Sequence, residues 1–191
     1  GCLLLSPAYT KPDKMIGYLS RYAPGRRENG GVYTHAATWA VWAYASLKNN
    51  DQAFKSYKNL CPIYNGMNPN EYVAEPYVIP GNIEGPDSTN YGMGGWTWYT
   101  GSAAWYQKVI VDWLLGVRAS KDGLIIDPCI PDDWKEFKVK RLFRGVSYKI
   151  TVVNKSKSRK SKKHNSVNGK TFAGNIIPII KKGEVKVEVY L

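Results

Sequence analysis

Two short stretches of the 191-residue chain hold residue types that could do chemistry on an anion. In "WYTGSAAW" the triplet Thr100, Gly101 and Ser102 stands directly before a strongly patterned apolar run, and in "VYTHAATW" His35 follows Thr34 at the start of an Ala-rich run. A helix N-terminus presents unpaired N–H groups and the positive end of the helix dipole, so it attracts negative charge. Gly101 would let a ligand approach the backbone closely, Thr100 would add a hydroxyl donor and His35 an imidazole. Two such starts meeting in space would make a site for a phosphate dianion. Kept apart, Thr100 or Ser102 would merely cap a helix, and His35 would be a satisfied buried histidine.

The aromatic residues speak to a second ligand. The chain has 7 Trp and 14 Tyr, and Tyr72, Tyr77, Tyr91, Trp96, Trp98 and Tyr99 lie in or beside a long stretch rich in Pro, Gly and Asn, residues 62–101. A loop of that length in a compact domain is more often functional than idle. Rings with a polar tip suit sugar faces, whose C–H patches are ringed by hydroxyls, although each ring would equally fill a core or a domain junction. The carboxylates near this stretch are Glu28, Glu75, Glu84 and Asp87, and each reads as a hydrogen-bonding or loop-ordering group.

The elements that must position these residues follow from hydrophobic period. Residues 1–33 show none and read as loop with one short helix or strand. "THAATWAVWAYASL" places Trp39, Ala40, Ala43, Tyr44 and Leu47 at helical spacing with Thr34 as N-cap, and a second helix starts at Asp51. A third is expected from about Ser102 to Val117, apolar over so wide an arc that it should be buried on more than one side. Beyond Arg118 the period turns to alternation, in short Val/Ile-rich runs such as "FKVKRLF", "VSYKITVVN" and "VKVEVYL". These are the marks of antiparallel strands in a sandwich. The predicted class is α+β, helices over 1–119 and a β-sandwich over 120–191.

Composition narrows the rest. The formal net charge is +12, but six of the cations fall in "KSKSRKSKK", residues 155–163, inside a basic loop at 155–164 without apolar period. Such a tract reads as solvated loop and argues against nucleic-acid binding. Cys2, Cys61 and Cys129 are odd in number and outside any CxxC arrangement, which predicts neither disulfides nor a metal site and makes a reducing cytoplasm the simplest location. "GCLLLSPAY" is too short an apolar run for a signal peptide or membrane span. The absence of an initial Met suggests a processed product or a piece of something longer.

At "RRENGGVYTHAATW", "EPYVIPGNIEGPDS", "GGWTWYTGSAAW" and "GLIIDPCIPDDW" the chain resembles the C-terminal part of the family-94 inverting glycoside phosphorylases. These include the cellobiose, cellodextrin and chitobiose phosphorylases, with the C-terminal module of the cyclic β-1,2-glucan synthases as a relative. The resemblance implies the last helices of an α/α double-ring barrel followed by the β-sandwich, in a parent that uses inorganic phosphate as co-substrate, needs no cofactor and acts on a β-linked di- or oligosaccharide. It matches the family's phosphate-binding residues to His35, Thr100 and Gly101, and acceptor-side residues to Tyr22 and Arg27. Glu28, Glu75 and Trp98 join these as candidate sugar contacts, and a Gln that some members carry is replaced at Gly81. A homodimer is the oligomer it implies.

One part of the family pattern has no match in the chain. The general acid is an Asp upstream of everything present, so no catalytic residue is expected here, and a phosphate-binding Arg is upstream too. The missing N-terminal part of the same polypeptide would therefore be the first partner, and the chain alone would be inactive; the alternatives are a non-catalytic carbohydrate-binding module, whose aromatic loop grips glycan beside a lectin-like sandwich, and the terminal module of a cyclic β-1,2-glucan synthase.

Overall fold

The computed structural model describes residues 1–98, 100–154 and 165–191, so the basic tract lies outside the described residues. Contacts divide the chain into two compact units, Gly1–Ile110 and Val111–Leu191. With helices in the first and sheets dominating the second, the class is α+β.

In the first unit a 3-10 helix at Gly17–Arg21 leads into an irregular loop that closes on one side chain. Asn29 is fully buried, and its amide donates to the carbonyls of Tyr9 (2.9 Å) and Tyr22 (2.7 Å) while accepting from Tyr9 N–H (2.7 Å). Buried polar groups carry a cost unless paired in this way. The loop then enters a sheet of three two-residue strands in the order β1 (Val32–Tyr33), β2 (Asn82–Ile83), β3 (Gly94–Gly95), all antiparallel.

Helix α1 (Thr34–Ser46) grows directly out of β1. Thr34 was expected to cap it, but Tyr33 holds the cap position, in extended conformation and without a side-chain bond, because β1 pairs with β2 up to that residue. Ala37, Val41 and Ala45, one helical stripe, are buried. The loop to α2 (Asn50–Leu60) ends at Asn49, whose side chain accepts from Gln52 N–H at 3.2 Å, an N-cap. Two short helices follow, α3 (Pro62–Asn65) and α4 (Pro69–Tyr72).

Helix α5 starts at Thr100, two residues before the expected position, and is α-helical only to Lys108. It continues as a π-helical stretch, Val109–Leu114, and stops there rather than at Val117. Gly116 explains the stop. It adopts φ +70°, and a Cβ at that position would collide with the backbone of Asp127 and Pro128.

The second unit is a sandwich of two sheets. One is antiparallel, in the order β10 (Ile176–Pro178), β5 (Gly123–Ile126), β4 (Val117–Ala119). The other runs β6 (Glu136–Phe143), β7 (Val146–Val153), β11 (Glu184–Tyr190), β8 (Asn165–Val167), β9 (Lys170–Phe172). Two hairpins close on turns suited to the strand twist, Arg144-Gly145 (φ +50°, +78°) and Asn168-Gly169 (φ +49°, +78°). The expectation of a purely antiparallel sandwich needs one correction, since β11 runs parallel to β7. Residues 154–183 intervene between them, long enough for the crossover that parallel pairing requires.

Leu124, Ile126 and Ile177 from the small sheet and Tyr148, Ile150, Val152, Val185, Val187 and Val189 from the large one form a single buried cluster. At the entrance to this unit Arg141 Nη1 meets Asp112 Oδ1 at 3.2 Å, Arg118 Nη2 meets Asp127 Oδ2 at 3.1 Å, and the Arg118 guanidinium lies 4.3 Å from the Trp113 ring centre.

Ile150 sits in the middle of this core, opposite Val139 on one side and Val187 on the other. Truncating Ile150→Ala is expected to lower the stability of the second unit by about 3 kcal/mol and Ile150→Val by about 1 kcal/mol. Urea unfolding of both variants measures this, and an alanine loss no larger than the valine loss would contradict the core assignment.

Candidate functional site

The three short strands of the first unit bring two helix starts together. Gly81, just before β2, accepts from Thr34 N–H at 3.0 Å and donates its own N–H to the Trp96 carbonyl at 2.9 Å. One bond holds the first residue of α1; the other holds the segment that leads into α5. Between the two starts lies a hollow of about 60 Å³, lined by Arg27, Tyr33, His35, Gly81, Trp96, Gly101 and Ser102. That is room for one small anion or a few waters.

His35 is the second residue of α1 and Gly101 the second of α5. The Gly101 Cα faces the imidazole, since a Cβ placed there would sit 3.6 Å from His35 Nδ1 and 3.8 Å from Cε1. The ring itself is steadied by aromatic contacts. It stands edge-on to Trp39 at 5.5 Å and tilted against Trp105 at 6.0 Å, while Trp105 stacks on Trp42 at 6.0 Å. The two helix starts that sequence spacing singled out therefore do meet. Thr100 is the first helical residue of α5, and its side chain lies outside what is described.

Arg27 closes one side of the hollow. Its guanidinium lies 4.7 Å from the Trp96 ring centre, 5.0 Å from Tyr22 and 5.9 Å from Tyr33, and its Nε is 3.4 Å from Glu28 Oε2. Burial works against this charge, but Glu28, Tyr22 and Tyr33 more than offset it and hold the guanidinium above its ordinary value. Arg27 and Trp96 both adopt φ +50°, a left-handed conformation rare for bulky residues.

Glu75 and Trp98 are not among the residues that line the hollow, and they pair with each other. Trp98 Nε1 donates to Glu75 Oε1 at 3.0 Å. Hydrogen bonds from the Glu75 backbone N–H, from Trp98 and from the Thr97 side chain hold this carboxyl below the ordinary glutamate value of 4.5. Glu84 is buried and engaged, by Arg26 at 2.8 Å and by the Ser88 hydroxyl, so it orders the loop. Among the described residues no group of three or more His, Cys, Asp or Glu is placed to hold a metal ion, and no helix is long and apolar enough to cross a membrane.

Tyr22, Arg27, Glu28, His35 and Gly101 thus gather about one place. Tyr33, Gly81, Trp96 and Ser102 complete it without having been assigned a site role from sequence. Ser102 and Trp96 carried a signal, a helix start and an aromatic loop; Tyr33 carried none, because its position depends on pairing with Asn82. Imidazole, helix N-terminus and guanidinium on one small hollow is a constellation chemically suited to an anion.

The family model described as the glycosyl hydrolase 94 superfamily, catalytic domain, matches residues 1–116. The chain is 34% identical over 184 residues to a solabiose phosphorylase of Paenibacillus borealis, covering 96% of this chain and 24% of that protein. It is 34% identical over 191 residues to an N,N'-diacetylchitobiose phosphorylase of Vibrio proteolyticus, covering 100% and 24%. It is also 38% identical over 158 residues to the cyclic β-(1,2)-glucan synthase NdvB of Rhizobium meliloti, covering 81% and 6%. The chain spans about a quarter of the length of these two phosphorylases and far less of the synthase.

The depressed Glu75 carboxyl gives a pH prediction with a fixed sign. Whatever stability the Glu75–Trp98 bond contributes is present above pH 4.5 and is lost as pH falls through the lowered folded value. The Trp98 indole N–H resonance should accordingly titrate with a midpoint below pH 4.5 in an NMR experiment, and a midpoint above that value would contradict the geometry.

Proposed function

The chain belongs to the glycosyl hydrolase 94 superfamily, and from that premise we propose that it is the C-terminal part of an inverting glycoside phosphorylase. Residues 1–119 are the last helices of an α/α double-ring barrel and residues 120–191 its C-terminal sandwich. The exposure of α1 supports this reading. Trp39 on that helix and Leu47 at its C-cap are 50% and 78% exposed although the helix is apolar on all sides, as expected of a helix that packs against further barrel helices.

The observation that carries the proposal is the meeting of His35 with Gly101 across a hollow of anion size. His35, Thr100 and Gly101 hold inorganic phosphate there, and Tyr22, Arg27, Glu28, Glu75 and Trp98 serve the sugar. Phosphate attacks the anomeric carbon of a β-glycoside while a carboxylic acid protonates the leaving oxygen, and the product is an α-sugar 1-phosphate plus the shortened acceptor. Because phosphate stands where an inverting hydrolase would activate water, one carboxylic acid suffices. Glu75 is unsuited to that role, since its lowered pKa leaves it ionised at neutral pH. The acid therefore comes from upstream, and the chain alone is inactive. The identity with NdvB supports a second reading, the terminal module of a cyclic glucan synthase, which the length of the upstream polypeptide decides.

Two substitutions in the full polypeptide test the assignment. His35→Ala should lower phosphorolysis by roughly 10²-fold, the scale of losing one donor to a developing or bound oxyanion, and should raise the phosphate KM. Gly101→Ala should fold with unchanged or slightly greater stability, because the new methyl meets His35 only at ordinary contact distance and alanine favours a helix, yet should also weaken phosphate use. Phosphate dependence unchanged in both would sink the proposal.

A further inference from the structure

The charge of the chain is concentrated in its second unit. Val111–Leu191 holds 18 Lys and Arg against 8 Asp and Glu, which is +10 of the +12 carried by the whole chain. Asymmetry of this kind points to an anionic partner. On the large sheet the fold sets part of this charge in register.

Lys140 of β6 lies directly opposite Lys149 of β7, and Lys149 directly opposite Lys186 of β11. Three ammonium side chains therefore stand abreast across three strands, all exposed, while Ile150, Val185 and Val187 beside them are buried in the core. Like charges directly opposite one another destabilise a sheet, and one carboxylate answers all three. Glu184 Oε2 meets Lys149 Nζ at 2.8 Å. The hydrogen bond from Lys149, with the charges of Lys149, Lys186 and Lys140, holds this carboxyl below the ordinary glutamate value of 4.5. Lys140 and Lys186 make no ion pair of their own among the described residues, so the row retains positive charge for a ligand.

The neighbouring row adds a different chemistry. Lys138, Thr151 and Glu188 face one another across the same three strands. Lys138 is paired with Glu136 at 2.9 Å, and Glu188 Oε2 accepts from the Ser166 hydroxyl at 3.4 Å, which leaves the other Glu188 oxygen open among the described residues. The Thr151 hydroxyl likewise has no hydrogen bond among them. The two rows line one concavity of about 540 Å³, with three cations along one side and a hydroxyl and a carboxylate on the other. No aromatic ring lines it, so it lacks the platform on which bases or neutral sugars stack. Glu188 disfavours a ligand that is anionic throughout, such as polyphosphate. A ligand with carboxylates along one edge and hydroxyls along the other satisfies both rows.

We propose that this face of the sandwich binds an acidic glycan, a run of hexuronate units whose carboxylates meet Lys140, Lys149 and Lys186 and whose hydroxyls meet Thr151 and Glu188. The inference takes its glycan class from the carbohydrate reading above but uses none of the residues assigned there. The test is calorimetric titration of the full polypeptide with trigalacturonate, without phosphate so that nothing turns over, and at low ionic strength, where exposed charges are least screened. Binding is expected. Joint exchange Lys140→Gln and Lys186→Gln should weaken it roughly tenfold, the scale of two exposed charge pairs. That variant keeps the Lys149–Glu184 pair and should melt as the unaltered polypeptide does. Thr151→Val should weaken trigalacturonate and leave polyphosphate unaffected, and the methyl-esterified trisaccharide should bind less tightly than the free acid. No binding, or binding that the double variant leaves unchanged, overturns the proposal. Polyphosphate that binds as tightly as trigalacturonate, with Thr151→Val altering neither, overturns it in favour of a general anion surface. Phosphorolysis of β-disaccharides is followed in parallel, and uronate binding by a polypeptide without it upholds this face while overturning the phosphorylase reading.

Discussion

The site rests on the two backbone hydrogen bonds of Gly81, which receives the N–H of Thr34 and gives its own to Trp96. Each helix start is anchored by the segment just before it, and these segments are far apart in the chain. Without a common partner nothing local would bring His35 opposite Gly101. The sheet that supplies the partner has only two residues per strand, too few to be stable alone; the loop before it is closed by the buried amide of Asn29, and the imidazole that follows it is braced by Trp39 and by Trp105, which stacks on Trp42. Packing and backbone pairing are thus coupled, and the geometry of the hollow is their joint product.

That geometry carries a conformational cost. Arg27, Trp96 and Trp98 all occupy the left-handed region, at roughly 1–3 kcal/mol each. Part of this is offset because the same conformations bring the Arg27 guanidinium over the rings of Trp96 and Tyr22, where a charge is stabilised by ring faces. The result is a cation held in a fixed place beside a histidine that aromatic contacts hold in a fixed orientation. Preorganised charge of this kind is what stabilises a bound or reacting oxyanion.

Much of this is written in local pattern, and the remainder is not for identifiable reasons. The stripe Ala37, Val41 and Ala45 and the alternation of β7 and β11 follow from periods of 3.6 and 2, so α1 and the sandwich strands are legible before any coordinates. A two-residue strand has no period, and the pairing of Tyr33 with Asn82 that displaces Thr34 from the cap leaves no trace in composition. The end of α5 is misjudged because apolar residues run on to Val117, whereas the stop is set by the close approach of the Asp127 and Pro128 backbone to Gly116, which only the fold reveals. Parallel pairing of β7 with β11 is non-local, and alternation along one strand is the same for either direction. At the site, His35 and Gly101 are legible because helix starts have signatures. Gly81 is legible only as a departure from a family pattern, and its structural role comes from its backbone, which no side-chain reading could reveal.

The measurement that bears most directly on the central claim is the release of α-sugar 1-phosphate from β-linked disaccharides, with and without inorganic phosphate, by the full polypeptide and by this chain alone. The account predicts product from the full polypeptide only, and only when phosphate is present. Phosphate-independent release of free sugar, or turnover by the 191-residue chain itself, would contradict it, because either result would require water activation or a proton donor that this part of the site does not contain.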